Sequence, residues 1–208
     1  VPISRAGLAA NMETALNAIW DADPVPSGRV AVVGAGVVGA LTGFLLARMP
    51  GTEVTLIDIN PAREELARAL GLNFAKPDNA PLDCTLVVHT SADPRGLATA
   101  IDIAGDEATI LEMSWYGARI VPVLLGAAFH SRRLKIVSSQ VGKVAPSRRA
   151  TTSHRQRLEQ AIALLSDARL DALLTPAVPF HELPERLPDI LKGENGVLCQ
   201  LIAYGEHH

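Results

Sequence analysis

The sequence predicts an α/β protein: a doubly wound parallel sheet, with a linker helix before it and a segment of an incomplete second domain after it. Three observations carry that expectation. From residue 29 to residue 140, apolar stretches that read as strands alternate with stretches that read as helices, which implies parallel strands joined by right-handed crossovers. Of 208 residues, 48% are hydrophobic but only 4% aromatic, which suits layers of Val, Leu, Ile and Ala on a sheet covered on both faces. Finally, "RVAVVGAGVVGAL" (29–41) runs an apolar strand into Gly34, Gly36 and Gly39 with no further charge.

In chain order, "SRAGLAANMETALNAIWDA" (4–22) places Leu8, Met12, Ala15, Leu16 and Ile19 on one side of a helix. "DPVPSG" (23–28) then breaks it, because two prolines and a glycine cannot continue a helix. Strand 29–35 leads into helix 37–49. Strand "EVTLIDI" (53–59) leads into helix 61–70, with Pro61 in its first turn. A short strand near 72–75 and "CTLVVHTS" (84–91) follow. Helix 94–104, strand "ATILEMSW" (108–115), a loop and helix over 119–131, and strand "LKIVSSQ" (134–140) close the series.

Beyond Val144 the alternation stops. "SRRATTSHRQRLEQAIALLSD" (147–167) begins polar and ends as an amphipathic helix. "LLTPAVPF" (173–180), a helix near 182–192 and "VLCQLIAY" (197–204) complete a tail that reads as part of another domain. The expected division is 1–26 as linker helix and remnant, 27–144 as nucleotide-binding domain, and 145–208 as a returning segment.

The 18 uncharged residues from Val30 to Ala47 reach the length of a membrane span. Their four glycines fit a strand, a tight turn and a helix start better, so no membrane partner is expected. No basic segment precedes a hydrophobic core at the N-terminus, so no secretory leader is expected. Cys84 and Cys199 form no metal or redox spacing, and two lone thiols point to a reducing cytoplasm. The formal charge of −3 favours neither a nucleic-acid binder nor an acidic tail. The terminal "GEHH" receives no function.

The three glycines have the G-x-G-x-x-G spacing, in its proper context of strand, helix and a later acidic residue. Gly34 permits the turn, Gly36 lets the backbone approach a pyrophosphate, and Gly39 lets helix and strand pack closely. Val37 and Val38 open the helix, whose N-terminus offers N–H groups and partial positive charge to phosphates. This is a Rossmann-type arrangement, and the alternative is a structural turn that binds nothing. Asp58, 19 residues after Gly39, is placed to accept both ribose hydroxyls and repel a 2′-phosphate, favouring NAD over NADP. It could instead be a helix N-terminal carboxylate. Ile59 and Asn60 follow it, and Arg63 sits either beside the ribose or, on the opposing reading, at a 2′-phosphate.

With these pieces in place, the chain resembles the medium-chain dehydrogenases, specifically the zinc-type alcohol dehydrogenase group. "NMETALNAIWDADPVPSGRVAVVGAGVVG" resembles that family's linker helix, cofactor strand and loop, and "VTLIDINPAREELARALG" its second strand and helix. "LLTPAVPFHELPERLPDIL" resembles the segment that returns to the catalytic domain. The resemblance implies an NAD-dependent oxidoreductase interconverting an alcohol and a carbonyl, acting on a small molecule, and a homodimer paired through edge strands over 119–136.

It also implies a β-rich N-terminal domain that supplies zinc ligands and is not within this sequence. Where the family often places another ligand, this chain reads "RAGLAAN", and the nearest carboxylate is Glu13. Zinc is expected of the family but not of this chain, since a catalytic site needs three protein ligands and the six histidines show no ligand spacing apart from the terminal pair. The expectation is therefore an excised cofactor half, inactive alone, with its catalytic residues unassigned.

Along the carboxyl ends of the strands, where a cofactor crosses such a sheet, lie Thr90 and Ser91, Met113 to Trp115, and Ser138 to Gln140. By resemblance, Thr90 and Ser91 stand near the riboses, with Ser114, Trp115 and Ser139 toward the nicotinamide. Each could equally be an ordinary strand-end residue. His89 reads as a strand-end histidine bonded to backbone, with proton relay as the alternative. Between Met113 and Leu158 there is no Asp or Glu, yet nine of the 19 Lys and Arg fall there. That stretch is a solvated basic face, a site for an anionic substrate or cofactor phosphate, or, more weakly, a nucleic-acid surface without the usual aromatics. Two rivals remain: a non-catalytic nucleotide-sensing Rossmann module, which would need no returning tail, and a flavoprotein, whose loop usually stands nearer the N-terminus.

Overall fold

The structure, a computed structural model, describes residues 1–22, 28–192 and 196–205. The break expected over 23–28, the 26/27 boundary and the terminal histidines His207 and His208 lie outside the described residues, wholly or in part. The elements run α1 (Ile3–Ala6), α2 (Ala9–Asp21), β1 (Gly28–Val33), α3 (Val37–Leu46), β2 (Thr52–Ile57), α4 (Arg63–Leu70) and β3 (Asn73–Ala75). They continue β4 (Cys84–His89), α5 (Pro94–Ile103), β5 (Ala104–Glu112), α6 (Ala127–Ser131), β6 (Lys135–Ser138), α7 (His154–Leu164), β7 (Leu174–Pro179), α8 (Leu183–Lys192) and β8 (Cys199–Ala203).

Six strands form one parallel sheet in the order β3-β2-β1-β4-β5-β6. This is the doubly wound α/β arrangement that the sequence predicts, with its reversal of direction between β1 and β4. Strand side chains alternate between two apolar layers. Val30, Val32, Leu56, Leu86, Val88 and Leu111 pack with α2 and α3 on one face. Ala31, Val33, Ile57, Val87 and Ile110 pack with α5 on the other. Both faces are covered, which is why the strands read as continuous apolar runs. Among the described residues no helix is long and apolar enough to cross a membrane.

Several boundaries differ from the sequence reading, each for a local reason. The helix expected over 4–22 divides into α1 and α2 at Gly7, where a side chain would come within 2.8 Å of Leu201 Cδ2 on β8. The helix expected to reach residue 49 stops at Leu46. Thr52 Oγ1 bonds the carbonyls of Leu46 and Met49 at 2.6 and 2.7 Å, and Pro50 follows. Pro61 lies before α4 rather than inside it, in a turn closed by Asn60 Oδ1 accepting from the Ala62 N–H at 3.0 Å. β5 starts at Ala104 and ends at Glu112, not at 108 and 115.

The tail divides in two. α7 joins the core through Ala161, with Leu165, Leu170 and Leu173 behind it, so residues after Val144 share the packing of α2 and α3. β7 and β8 form a separate two-stranded parallel sheet. Arg157, nearly fully buried, ties α7 to α2. It donates to Glu13 Oε1 at 3.0 Å and Asn17 Oδ1 at 2.6 Å, and to the carbonyls of Lys143 and Val141 at 3.2 and 2.6 Å.

Candidate functional site

The turn between β1 and α3 is held from both sides. The Gly34 N–H donates to the Ile57 carbonyl at 2.8 Å, and Thr90 Oγ1 donates to the Gly34 carbonyl at 2.8 Å. Gly34 has φ +105°, and a Cβ there would lie 2.8 Å from the Ser91 nitrogen. A Cβ on Gly39 would run into the Gly34 carbonyl oxygen and come within 2.6 Å of Thr90 Oγ1. Gly36 differs: nothing lies within 4 Å of its would-be Cβ, and its φ of −75° suits any residue. Packing therefore requires glycine at 34 and 39, whereas position 36 faces open space.

That space is a cleft of about 730 Å³ that gathers Gly34, Gly36, Asp58, Ile59, Asn60, Arg63, Thr90 and Ser91 with Lys76, Asp93 and Arg95. α3 begins at its wall. Gly36 caps the helix with no side-chain bond, and no acidic residue lies in the first turn, so the N–H groups of Val37, Val38 and Gly39 retain their affinity for an anion. Asp58 Oδ2 accepts from the Ala35 N–H at 2.8 Å and Oδ1 from the Asn60 N–H at 2.8 Å. A carboxylate offers about four acceptor positions, so room remains for hydroxyl donors. Arg63 lines the same cleft and donates to the Gly196 carbonyl at 3.2 Å. A dinucleotide fits these residues: open space at Gly36, an uncapped helix start, and a carboxylate with free acceptor positions.

Of the residues expected at the cofactor, Val37, Val38, Gly39, Ser114, Trp115 and Ser139 do not line this cleft. Ser114 Oγ accepts from the Ala92 N–H at 3.1 Å and lies 3.2 Å from His89 Nδ1. Trp115 is 87% exposed. Ser139 Oγ donates to Asp21 Oδ2 at 2.7 Å. Burial pushes the Asp21 carboxyl up, against the bonds from Ser139 and Asn17 and the charges of Arg149 and Arg157.

His89 corrects the sequence reading, since its ring nitrogens meet side chains rather than backbone. Glu112 Oε2 lies 2.8 Å from Nδ1, and Ser91 Oγ lies 2.7 Å from Nε2. Tyr116 Oη stands 3.4 Å from Nδ1, and its hydroxyl is pushed up to about 12, chiefly by burial and then by the charge of Glu112. Glu112 and Tyr116, which the sequence reading did not single out, are the partners of the ring on its Nδ1 side.

The basic stretch is not one face. Arg157 is buried, Arg148 stacks 5.8 Å over Trp20, and Arg132 donates to the Asp102 and Ala104 carbonyls at 3.0 and 2.7 Å. Among the described residues no group of three His, Cys, Asp or Glu side chains could hold a metal. A second cavity of about 400 Å³ between β7, β8 and α8 is lined by Thr175, Glu182, Arg186 and Gln200 and lacks a glycine turn.

The sequence profile described as Ketopantoate reductase PanE/ApbA matches residues 30–102, the segment from β1 into α5. No curated protein matches the sequence. The fold is similar to 2R,3R-butanediol dehydrogenase from Bacillus subtilis, with a TM-score of 0.79 and 15% identity, covering 99% of this chain and 59% of that one. A thermostable alcohol dehydrogenase from Pyrobaculum aerophilum gives 0.78 at 20% identity, covering 98% and 59%. An alcohol dehydrogenase from E. coli CFT073, solved with NADH, gives 0.72 at 18% identity, covering 94% and 57%. These likenesses establish the fold, and the chain spans under three fifths of the length of each neighbour.

Proposed function

We propose that this chain is the NAD-holding part of a medium-chain alcohol dehydrogenase-like oxidoreductase that interconverts an alcohol and a carbonyl. The observation that carries the reading is the uncapped start of α3, opening through Gly36 onto a cleft with Asp58 at its rim. The dehydrogenase neighbours support the reaction class, and the one solved with NADH supports the cofactor. The ketopantoate reductase match falls on the glycine turn and Asp58, so it supports nucleotide binding and says nothing of a substrate.

Bound NAD would supply the acceptor or donor of a hydride. The work of this chain is to hold it. The N–H groups of Val37, Val38 and Gly39 face the pyrophosphate, Asp58 takes ribose hydroxyls, and Ile59 and Arg63 border the adenosine end. Substrate contacts on a small molecule fall mainly to the catalytic domain that the resemblance implies. Unpaired Cys84 and Cys199 suit a reducing cytoplasm.

The test is fluorescence titration with NADH and NADPH. NADH binds more tightly, and Asp58→Ala narrows the gap because a carboxylate no longer repels a 2′-phosphate. Tighter NADPH binding by the wild type would refute the role given to Asp58 and transfer it to Arg63.

We also propose a twofold homodimer through 119–136. β6 is an edge strand with every residue exposed, and Ile120 and Leu124 in the segment before it are 96% and 73% exposed. An unpaired edge with apolar neighbours favours strand pairing between subunits. Light scattering should give a dimer and Ile136→Lys a monomer. A monomeric wild type at high micromolar concentration rejects this interface.

A further inference from the structure

His89 and Glu112 are register partners on neighbouring parallel strands, so their side chains leave the sheet on the same face. His89 is fully buried. Glu112 closes on its Nδ1 with both oxygens, at 2.8 and 3.0 Å, and is itself fixed by the Ser114 N–H at 2.7 Å. A carboxylate only accepts, so the ring proton belongs on Nδ1, and Nε2 keeps its lone pair. Ser91 Oγ, 2.7 Å from Nε2, also accepts from the Asp93 N–H at 3.3 Å, which leaves the hydroxyl proton for His89. Hydroxyl, imidazole and carboxylate thus stand in the order that activates a serine: a base within reach of the nucleophile, and a third group orienting the base.

Two local features support a reactive rather than a merely structural cluster. Ser91 is exposed and lines the large cleft. Ala92, directly after it, holds φ +52° despite its Cβ, a strain of the kind that gathers at functional sites. Gly96 is also required here, because a side chain on it would meet Ser91 Oγ and lie 2.9 Å from His89 Nε2. The first turn of α5 consequently lies against the hydroxyl, and its N-terminus is capped by the Asp93 carboxylate, which accepts from the Arg95 N–H at 2.8 Å.

We propose that Ser91, His89 and Glu112 form a nucleophilic triad and that the cleft accepts small activated carboxylic esters. Ser91 Oγ bonds to the ester carbon while its proton passes to His89 Nε2. The tetrahedral adduct collapses, the carbon–oxygen bond to the leaving group breaks, and that group leaves with the proton from His89. Water then adds to the acyl-serine, giving a proton to His89. The acid departs as Ser91 recovers that proton. Nothing is oxidised or reduced, and water is the sole co-reactant. The titratable and charged groups facing the ring are Glu112 and Tyr116 on the Nδ1 side, and Asp93 with its partner Arg95 on the cleft side.

The test treats the whole chain with p-nitrophenyl acetate, following nitrophenolate release and mapping acetyl adducts by mass spectrometry. The expected result is an adduct on Ser91, with release at least about tenfold above Ser91→Ala and a drop of similar size in Glu112→Gln. Ser91→Cys provides a second arm. A thiol beside His89 should be alkylated by iodoacetamide at pH 6, where Cys84, pushed up to about 11 by burial, stays unreactive. No Ser91 adduct, or equal rates in wild type and Glu112→Gln, overturns the triad, as does a thiol in Ser91→Cys that alkylates no faster than Cys199. The claim does not rest on nucleotide binding. Saturating NADH should slow acylation, and an unchanged rate overturns only the sharing of the cleft.

Discussion

Gly36 and Gly39 stand three residues apart in one loop, and their substitution should separate fold from function. At Gly36 the backbone is ordinary extended geometry and the Cβ direction is empty. Gly36→Val should therefore cost about 1 kcal/mol or less, the scale of an N-cap change. For a domain of this size that lowers Tm by about 2–4 °C. Yet the added methyls occupy the cradle and hold a pyrophosphate away from the first N–H groups of α3. Each charge-assisted hydrogen bond contributes about 1.5–3 kcal/mol, so losing one or two should weaken NADH binding by roughly 100-fold. Gly39→Ala should do the reverse. Its methyl meets the Gly34 carbonyl and Thr90 Oγ1, and such overpacking costs about 1–3 kcal/mol, or about 2–12 °C in Tm. Thermal unfolding with and without NADH, alongside fluorescence titration, reads both. A Gly36→Val protein that binds NADH as the wild type does would show the loop to be a turn and nothing more.

Two further predictions concern the frame around the site. Arg157→Ala leaves Glu13 and Asn17 without their buried partner, and breaking such a pair costs about 3–5 kcal/mol. Calorimetry should show a Tm lower by about 6–20 °C, and a change under 2 °C (about 0.5 kcal/mol) would reject the clamp between α2 and α7. The second is a pH dependence. The Asp167 carboxyl is held down from 3.8 to about 2, first by the Arg169 side chain and then by its backbone N–H. A depressed carboxyl contributes stability that is present above its unfolded value and lost as pH falls through its folded one. Unfolding midpoints should therefore fall between pH 3.8 and about 2, and less steeply in Arg169→Ala. Parallel curves for the two proteins would reject that linkage.

Much of the fold was legible because the physics that sets it is local. β1, β2 and β4 are apolar runs closed by glycine, proline or a polar residue, and each lies within two residues of its expected span. Where boundaries moved, the cause lay elsewhere in the chain. The first helix divides at Gly7, where a side chain would meet Leu201, far along the sequence. Thr52 ends α3 by reaching back for two carbonyls. The placement of α7 was hidden for a similar reason. Besides Ala161, its buried contact with α2 is made by Arg157, a charged residue in the stretch that reads as polar.

The cleft was legible where one loop builds it and obscure where strands meet. Gly34, Gly36, Gly39 and Asp58 announce themselves by spacing. His89 and Glu112 do not, because a strand buried on both faces has no polar–apolar alternation to show which way a given residue points. Parity alone could not place His89 on the α5 side. The β4–β5 register decides it, setting His89 beside Glu112. A usable signal was still present. "VVHTS" and "LEMS" each end an apolar run in a titratable residue, and the doubly wound strand order makes those two runs neighbours. Two titratable strand ends on adjacent parallel strands, in register, meet side by side. Once the order β1-β4-β5 was expected, the pair was derivable, whereas the partner of the free nitrogen of His89, Ser91 in the turn after β4, follows from the structure.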